Sequence, residues 1–293
     1  MIKALMYHDI RDLEETKYPD RLSLKSFMRV KDFIEQIDYL KRNFNIIDPK
    51  DINNSLNSNK AHAVLTFDDG LYDHIRVAEI LQKKKLTGTF FIPTEAIMER
   101  KMLLSHKIQF ILAAGNEKET VSKILEHLSD NKSEQNIIWE KNCIPFTMVN
   151  TWSKEMIFIT KILRTHGRGK EIANLLFKRM VSSDEIDFCD GFYLNQAQII
   201  QMKDMGMTIG GHGHISEALT DIDQIADIKK CRINLNKIGV ESYTFSYPNG
   251  KYNDSTLLEA AQNGFTHGFT TVKSNVINDR FIEIPRFDAA IDL

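Results

Sequence analysis

The chain has 293 residues, 42% hydrophobic and 27% charged, enough for the core of one large α/β domain or two small ones. Its 38 Lys and Arg against 40 Asp and Glu leave a net charge of −2, which excludes the basic footprint of a nucleic-acid binder. No apolar run nears the ~20 residues that span a bilayer. Residues 1–9 turn polar too early for a signal-peptide core, so the expected compartment is the cytoplasm. Cys143, Cys189 and Cys231 lie far apart without C-x-x-C spacing and read as buried thiols, not disulfides or a zinc knot.

Ile2–Tyr7 reads as a strand ending in His8-Asp9-Ile10. After a polar loop, Phe27, Val30, Phe33, Ile34, Ile37 and Leu40 recur at helical spacing, with Ser23 or Ser26 as candidate N-caps. Residues 63–67 form a second apolar run, stopped abruptly by Asp68-Asp69-Gly70. Val77, Ile80 and Leu81 mark a helix, and residues 87–92 a third strand closed by Pro93. From about residue 100 to 190 the pattern turns helical, carried by Ile108, Ile111 and Leu112, then Val121, Ile124 and Leu128, then Met156, Ile159 and Leu163, then Ile172, Leu175 and Leu176. This stretch is expected to be an insertion that caps the domain or offers a surface to a partner, including a second copy of the chain.

The alternation resumes at Asn195, where Asn195 and Gln198 resemble a capping box and Gly206 sits as a helix C-terminal glycine. Strand candidates follow at residues 207–209, 242–247, 266–271 and 281–285. Strands alternating with helices predict a largely parallel sheet or barrel. No Pro/Gly/Ser-rich linker divides the chain, so a single domain, residues 1–293, interrupted by the insertion, is the expectation.

Three polar clusters fall at strand ends, where a parallel α/β fold gathers its loops. They are Asp68-Asp69-Gly70, Gly210-Gly211-His212-Gly213-His214 and Tyr247-Pro248-Asn249-Gly250. Adjacent carboxylates after an apolar strand are costly to desolvate unless a cation or proton shares the site. Taken alone, Asp68-Asp69-Gly70 could equally be a turn that caps the next helix.

The clusters also carry a resemblance. Thr66-Phe67-Asp68-Asp69-Gly70, followed by Gly88-Thr89-Phe90-Phe91-Ile92, resembles the first signature of the polysaccharide deacetylases of the NodB-homology type. Ile209-Gly210-Gly211-His212-x-x-x-Ser216-x-x-Leu219 resembles the second, and Phe245-Ser246-Tyr247-Pro248-Asn249-Gly250-Lys251-Tyr252 a variant of the third. Order and separation agree, over residues 1–99 and 195–293. The resemblance implies a distorted (β/α) barrel of the deacetylase type. It also implies Asp68 as general base, and Asp69 and His212 as ligands of a divalent metal, with zinc the expected ion. Such a metal acidifies water and polarises the amide carbonyl. Tyr247, Pro248, Asn249 and Gly250, with Ser216, are the candidate substrate and oxyanion residues, through backbone N–H groups near Asn249-Gly250.

Departures from the pattern leave roles to fill. Ser216 stands where the second metal histidine would fall. His214 could take that place if the segment is extended, since i and i+2 then share a face; it could equally line the pocket. Thr244 replaces the Arg that opens the third motif, making Arg286 in Ile284-Pro285-Arg286-Phe287-Asp288 the candidate that orients the base, with a plain salt bridge to Asp288 as the alternative. The family's last motif is an apolar strand ending in a histidine, absent from the C-terminal end here. Ala4-Leu5-Met6-Tyr7-His8 has that form, and a barrel would set it beside the Asp68 strand, so His8 is the candidate general acid. His62, His74, His106, His127, His166 and His267 have no partner spacing.

The expected function is metal-dependent removal of an N-acyl group, acetyl first, from a sugar. A nucleotide-linked or lipid-linked sugar or an oligosaccharide, as a precursor of a cell-surface glycan, is the expected substrate. One alternative is a metal-independent hydrolase of cyclic imides or ureides on the same fold, favoured by Ser216. Another is an inactive carbohydrate-binding protein, disfavoured by the presence of Asp68, Asp69, His212 and His8.

Overall fold

Residues His62–Phe67 are buried at every position, as a strand covered on both faces must be. In the computed structural model, which describes residues 1–12, 14, 21, 27–144, 152–220, 222–277 and 281–292, this strand lies within a parallel sheet. We number its main strands β1 (Ile2–Tyr7), β2 (His62–Phe67), β3 (Thr89–Ile92), β4 (Thr208–Gly211), β5 (Thr244–Ser246), β6 (His267–Phe269) and β7 (Arg286–Asp288). Their spatial order is β7-β1-β2-β3-β4-β5-β6, and every neighbouring pair is parallel. The register sets Tyr7 beside Phe67 and Met6 beside Asp288, so the ends of β7, β1 and β2 emerge together.

The ring nearly closes through the segment before β7. Gly268 N–H donates to the Phe281 carbonyl at 2.8 Å, Ile284 N–H to Gly268 at 2.7 Å and Thr270 N–H to Ile284 at 2.9 Å. This segment was expected to be a strand over 281–285; it forms a single bridge, Phe269 to Ile284, and the strand proper is Arg286–Asp288. Pro285 has no N–H to give a ladder, which separates the two pairings.

By internal contacts the chain divides into two units, residues 1–15, 25–101 and 189–293, and residues 16–24 and 102–188. The first holds the barrel and its helices. Val30–Asn43 buries Val30, Phe33, Ile37 and Leu40, one stripe of an amphipathic helix. Arg29 holds its N-cap position, and the candidates Ser23 and Ser26 lie outside the described residues. Gln196–Asp204 begins with the full Asn195–Gln198 capping box and ends before Gly206, whose φ of +87° turns the chain into β4. The second unit is helical among its described residues, with Leu104–Ala114, Glu117–Leu128, Lys132–Asn142, Lys154–Thr165 and Gly169–Met180. Three of these start on side-chain caps from Asn116, Asn131 and Ser153.

Cys189 and Cys231 are buried, as expected, whereas Cys143 is partly exposed. Among the described residues no helix is long and apolar enough to cross a membrane.

Candidate active site

Asp68 is the first residue beyond β2 and is 2% exposed. Its N–H donates to the Tyr7 carbonyl at 2.9 Å, extending the β1–β2 ladder by one bond. Arg286, 1% exposed at the start of β7, grips the carboxylate with both arms, Nη1 to Oδ1 at 2.8 Å and Nη2 to Oδ2 at 2.8 Å. The rest of the guanidinium is also satisfied. Nε donates to the Thr270 carbonyl at 2.9 Å, Nη1 to Thr66 Oγ1 at 3.1 Å and Nη2 to Ser246 Oγ at 2.9 Å. Ser246 Oγ–H in turn donates to Asp68 Oδ2 at 3.2 Å. Burial alone would raise the Asp68 carboxyl, but the charges of Arg286, His212 and His8 and the Arg286 hydrogen bond outweigh it and hold it below the ordinary value.

Asp69 has φ +77°, a left-handed conformation that few side chains other than Asn and Asp adopt readily. The turn brings its Oδ1 within 3.5 Å of His212 Nε2. His212 follows β4, is 5% exposed, and gives its Nδ1–H to the Ser246 carbonyl at 2.9 Å. A carbonyl only accepts, so Nδ1 carries the proton and Nε2 of the neutral ring is a lone pair facing a carboxylate oxygen. Two acceptors at that distance call for a proton or a cation between them. The ring's affinity for a proton reflects this. Burial lowers it, yet the nearby Asp68 and Asp69 charges raise it further, above the usual histidine value. A borderline divalent ion accepts one carboxylate oxygen and one imidazole nitrogen, so these two donors fit the expected metal and leave its other positions open.

Ser216 is 7% exposed and also left-handed, at φ +52°. His214 sits elsewhere than the extended-chain reading placed it. Gly213 has φ +70°, which turns the chain so that residues 212 and 214 do not share a face. His214 Nδ1 lies 3.0 Å from Thr94 Oγ1, and its Nε2 faces Glu99 Oε1 at 3.2 Å. Among the described residues, the one group of three side chains spaced to hold an ion is Glu95, Glu99 and His214; Asp69, His212 and His214 do not form one.

His8, half-buried, follows β1 directly and so neighbours Asp68 across the β1–β2 pair. Its charge is among those acting on the Asp68 carboxyl. The Tyr247 hydroxyl donates to the Ile282 carbonyl at 2.9 Å, and the ring packs on Phe245 and Tyr252. Pro248–Gly250 is one 3₁₀ turn with Asn249 at φ +57°, and the Gly250 N–H is spent on the Tyr247 carbonyl at 2.9 Å. Of the candidate oxyanion donors, the Gly250 N–H is thus already engaged.

Three residues join the site without having been singled out for it. Ser246 links Asp68, Arg286 and His212 through its hydroxyl and carbonyl. The buried His74 donates Nε2–H to the His8 carbonyl at 2.9 Å, fixing that strand end. Burial pushes the His74 ring down to about 4, so it stays neutral. Asp227 accepts from the N–H groups of His214 at 2.8 Å and Ile215 at 3.0 Å, clamping the loop beyond His212. Only Ser246, inside the third strand-end motif, had a sequence signal.

Residues 159–268 match the family model described as Polysaccharide deacetylase. That span holds His212, Ser216 and Ser246–Gly250 and leaves Asp68, Asp69 and Arg286 outside. The chain is similar in fold to the Streptococcus pyogenes deacetylase PplD, solved with acetate, at TM-score 0.58 and 17% identity over 98% of this chain and 91% of that one. It is similar to IcaB from Ammonifex degensii at TM-score 0.60 and 14% identity, covering 99% and 92%. A polysaccharide deacetylase from Bacillus cereus matches at TM-score 0.57 and 15% identity, covering 98% of this chain and 64% of that one. No curated protein matches the chain.

Proposed function

We propose that the chain is a polysaccharide deacetylase that hydrolyses the amide of an N-acylated amino sugar, a reading supported by the family-model match over residues 159–268 and by the shared fold. The observation that carries the reading is the buried, doubly held Asp68 next to the Asp69–His212 acceptor pair. The substrate we assign is a glycan unit, whether oligosaccharide, lipid-linked or nucleotide-linked, and the acyl group is acetyl. Acetate, present in the Streptococcus pyogenes structure, is the acid this reaction would release.

A divalent ion held by Asp69 and His212, zinc in this reading, would polarise the scissile carbonyl and make water more acidic. Asp68 is the proton acceptor for the attacking water. Its lowered pKa keeps it ionised across neutral pH, and Arg286 fixes both oxygens so that the carboxylate cannot swing away. The arrangement gives up intrinsic basicity for certainty of charge and position. His212 keeps its Nε2 aimed at the site because Ser246 holds Nδ1–H. His8 is the proton donor to the leaving amine, which cannot depart as an anion.

The test is acetate and amine release from N-acetylglucosamine oligomers and from the nucleotide-linked sugar, with added zinc or cobalt. No turnover of any of them would remove the proposal. Ser216 in the histidine position favours a second reading, metal-independent opening of a cyclic imide or ureide. Turnover of such a ring in chelator, with no turnover of the sugars, would select it.

A further inference from the structure

We propose that Glu95, Glu99 and His214 form a second divalent-cation site, apart from Asp69 and His212, whose ion ties the loop beyond β4 to the helix Thr94–Met98. One ligand atom from each of the three lies within 4.8 Å of the others. Acidic side chains alone would say little. The imidazole adds an independent observation.

His214 is 4% exposed, and its Nε2 is buried without a hydrogen-bond partner. Glu99 Oε1 is only 3.2 Å away, so the two atoms are at ion-pair distance but not in hydrogen-bond alignment. A buried ring nitrogen in that condition has given up its water and gained no hydrogen bond in return. A cation between Nε2 and the carboxylate removes the deficit, because it needs donor atoms converging on a point and no N–H directed along a line.

The place already attracts positive charge. Lys230 Nζ lies 2.7 Å from Glu99 Oε1 and Lys101 Nζ 2.8 Å from Oε2, with Lys101 also 3.9 Å from Glu95 Oε1. Both lysines are about half exposed, at 51% and 56%, so their long side chains can leave for water when an ion enters. They are competitors for the site and set a cost on occupying it.

The backbone is arranged before any ion arrives. Thr94 N–H donates to the Gly213 carbonyl at 3.2 Å and Glu95 N–H to the His214 carbonyl at 2.8 Å. From the other side Asp227 takes the His214 and Ile215 N–H groups. Thr94 Oγ1, which accepts from Asn234 at 3.3 Å, holds His214 Nδ1 and so fixes the ring. One imidazole and two carboxylates suit zinc, cobalt or another first-row ion better than magnesium or calcium, which take oxygen. Such an ion would stiffen the loop that carries His212 and Ser216.

The experiment is a Co²⁺ titration of the full chain, stripped of metal, followed by visible absorption and equilibrium dialysis. Asp69→Ala/His212→Ala should still bind one Co²⁺. Glu95→Gln/Glu99→Gln should lose one equivalent or bind it at least tenfold more weakly, and Lys101→Ala/Lys230→Ala should bind it more tightly. The Lys variant keeps the ligands in place, so it reads the site even if the Glu variant folds poorly. The proposal is overturned if Asp69→Ala/His212→Ala binds no Co²⁺, or if neither the Glu nor the Lys variant changes stoichiometry or affinity. Because binding is the readout, the result does not depend on whether the chain is a deacetylase.

Discussion

Arg286 spans both carboxylate oxygens of Asp68, each at 2.8 Å, from a strand 218 residues further along the chain. Both side chains are almost wholly enclosed. A buried pair of this kind contributes little net stability against an apolar substitute, but breaking it by removing one partner leaves a charge without compensation. Arg286→Met should therefore lower stability by roughly 3–5 kcal/mol in urea unfolding. Arg286→Lys should lose less, since one ammonium can still reach one oxygen, but it cannot reproduce the fork. An unchanged midpoint for Arg286→Met would show that the pair is not enclosed as described.

Asp68→Asn keeps the shape and removes the proton acceptor. The expected result is a kcat lower by roughly 10²–10⁴, with bound metal close to one equivalent at the Asp69–His212 site. The pH dependence follows from the direction of the Asp68 shift, below the ordinary carboxylate value near ~3.9. A group with a depressed folded pKa adds stability that is complete above its unfolded pKa and is lost as pH falls through the folded one. The acid limb of kcat/KM and the acid unfolding that depends on Asp68 should thus both lie below about pH 3.9. An acid limb centred near pH 6 would assign the base to another group.

Asp68-Asp69, His212 and the Tyr247-Pro248-Asn249-Gly250 cluster are legible from sequence because a polar cluster cutting off an apolar run marks a strand end. The neighbourhood of β1 and β2 is legible for the same reason, once a parallel barrel is assumed. Arg286 is legible only as a candidate, because its partner is fixed by how the barrel closes and not by local spacing. His214 is misplaced by the extended-chain rule because Gly213, at φ +70°, breaks the period of two. His74 and Asp227 bind backbone groups, a His8 carbonyl and two loop N–H groups, and such partners leave no pattern in the side-chain sequence.

Ser216 offers a gain-of-ligand test. Its left-handed φ of +52° is strained for most side chains, although histidine is among those found there. Ser216→His should tighten divalent-ion binding at the Asp69–His212 site at least tenfold in competition with a chelator. Ser216→Ala should change it less. Equal affinity for all three proteins would mean that residue 216 does not face the ion.

His8 carries the remaining prediction. It stands one residue past β1, beside Asp68, with its carbonyl held by the buried His74. Amide hydrolysis needs a proton delivered to the departing nitrogen, whereas an activated ester expels a stable anion unaided. His8→Ala should accordingly cut amide turnover by roughly 10²–10⁴, the usual worth of a placed acid. Hydrolysis of 4-nitrophenyl acetate should fall far less, and the variant should remain folded with its metal content intact. His74→Phe keeps a ring against Phe67 and Phe90 but drops the bond to the His8 carbonyl, so it should reduce amide kcat in the same direction and by less. Equal losses on amide and ester in His8→Ala would move His8 from proton donor to a part of the substrate-binding wall.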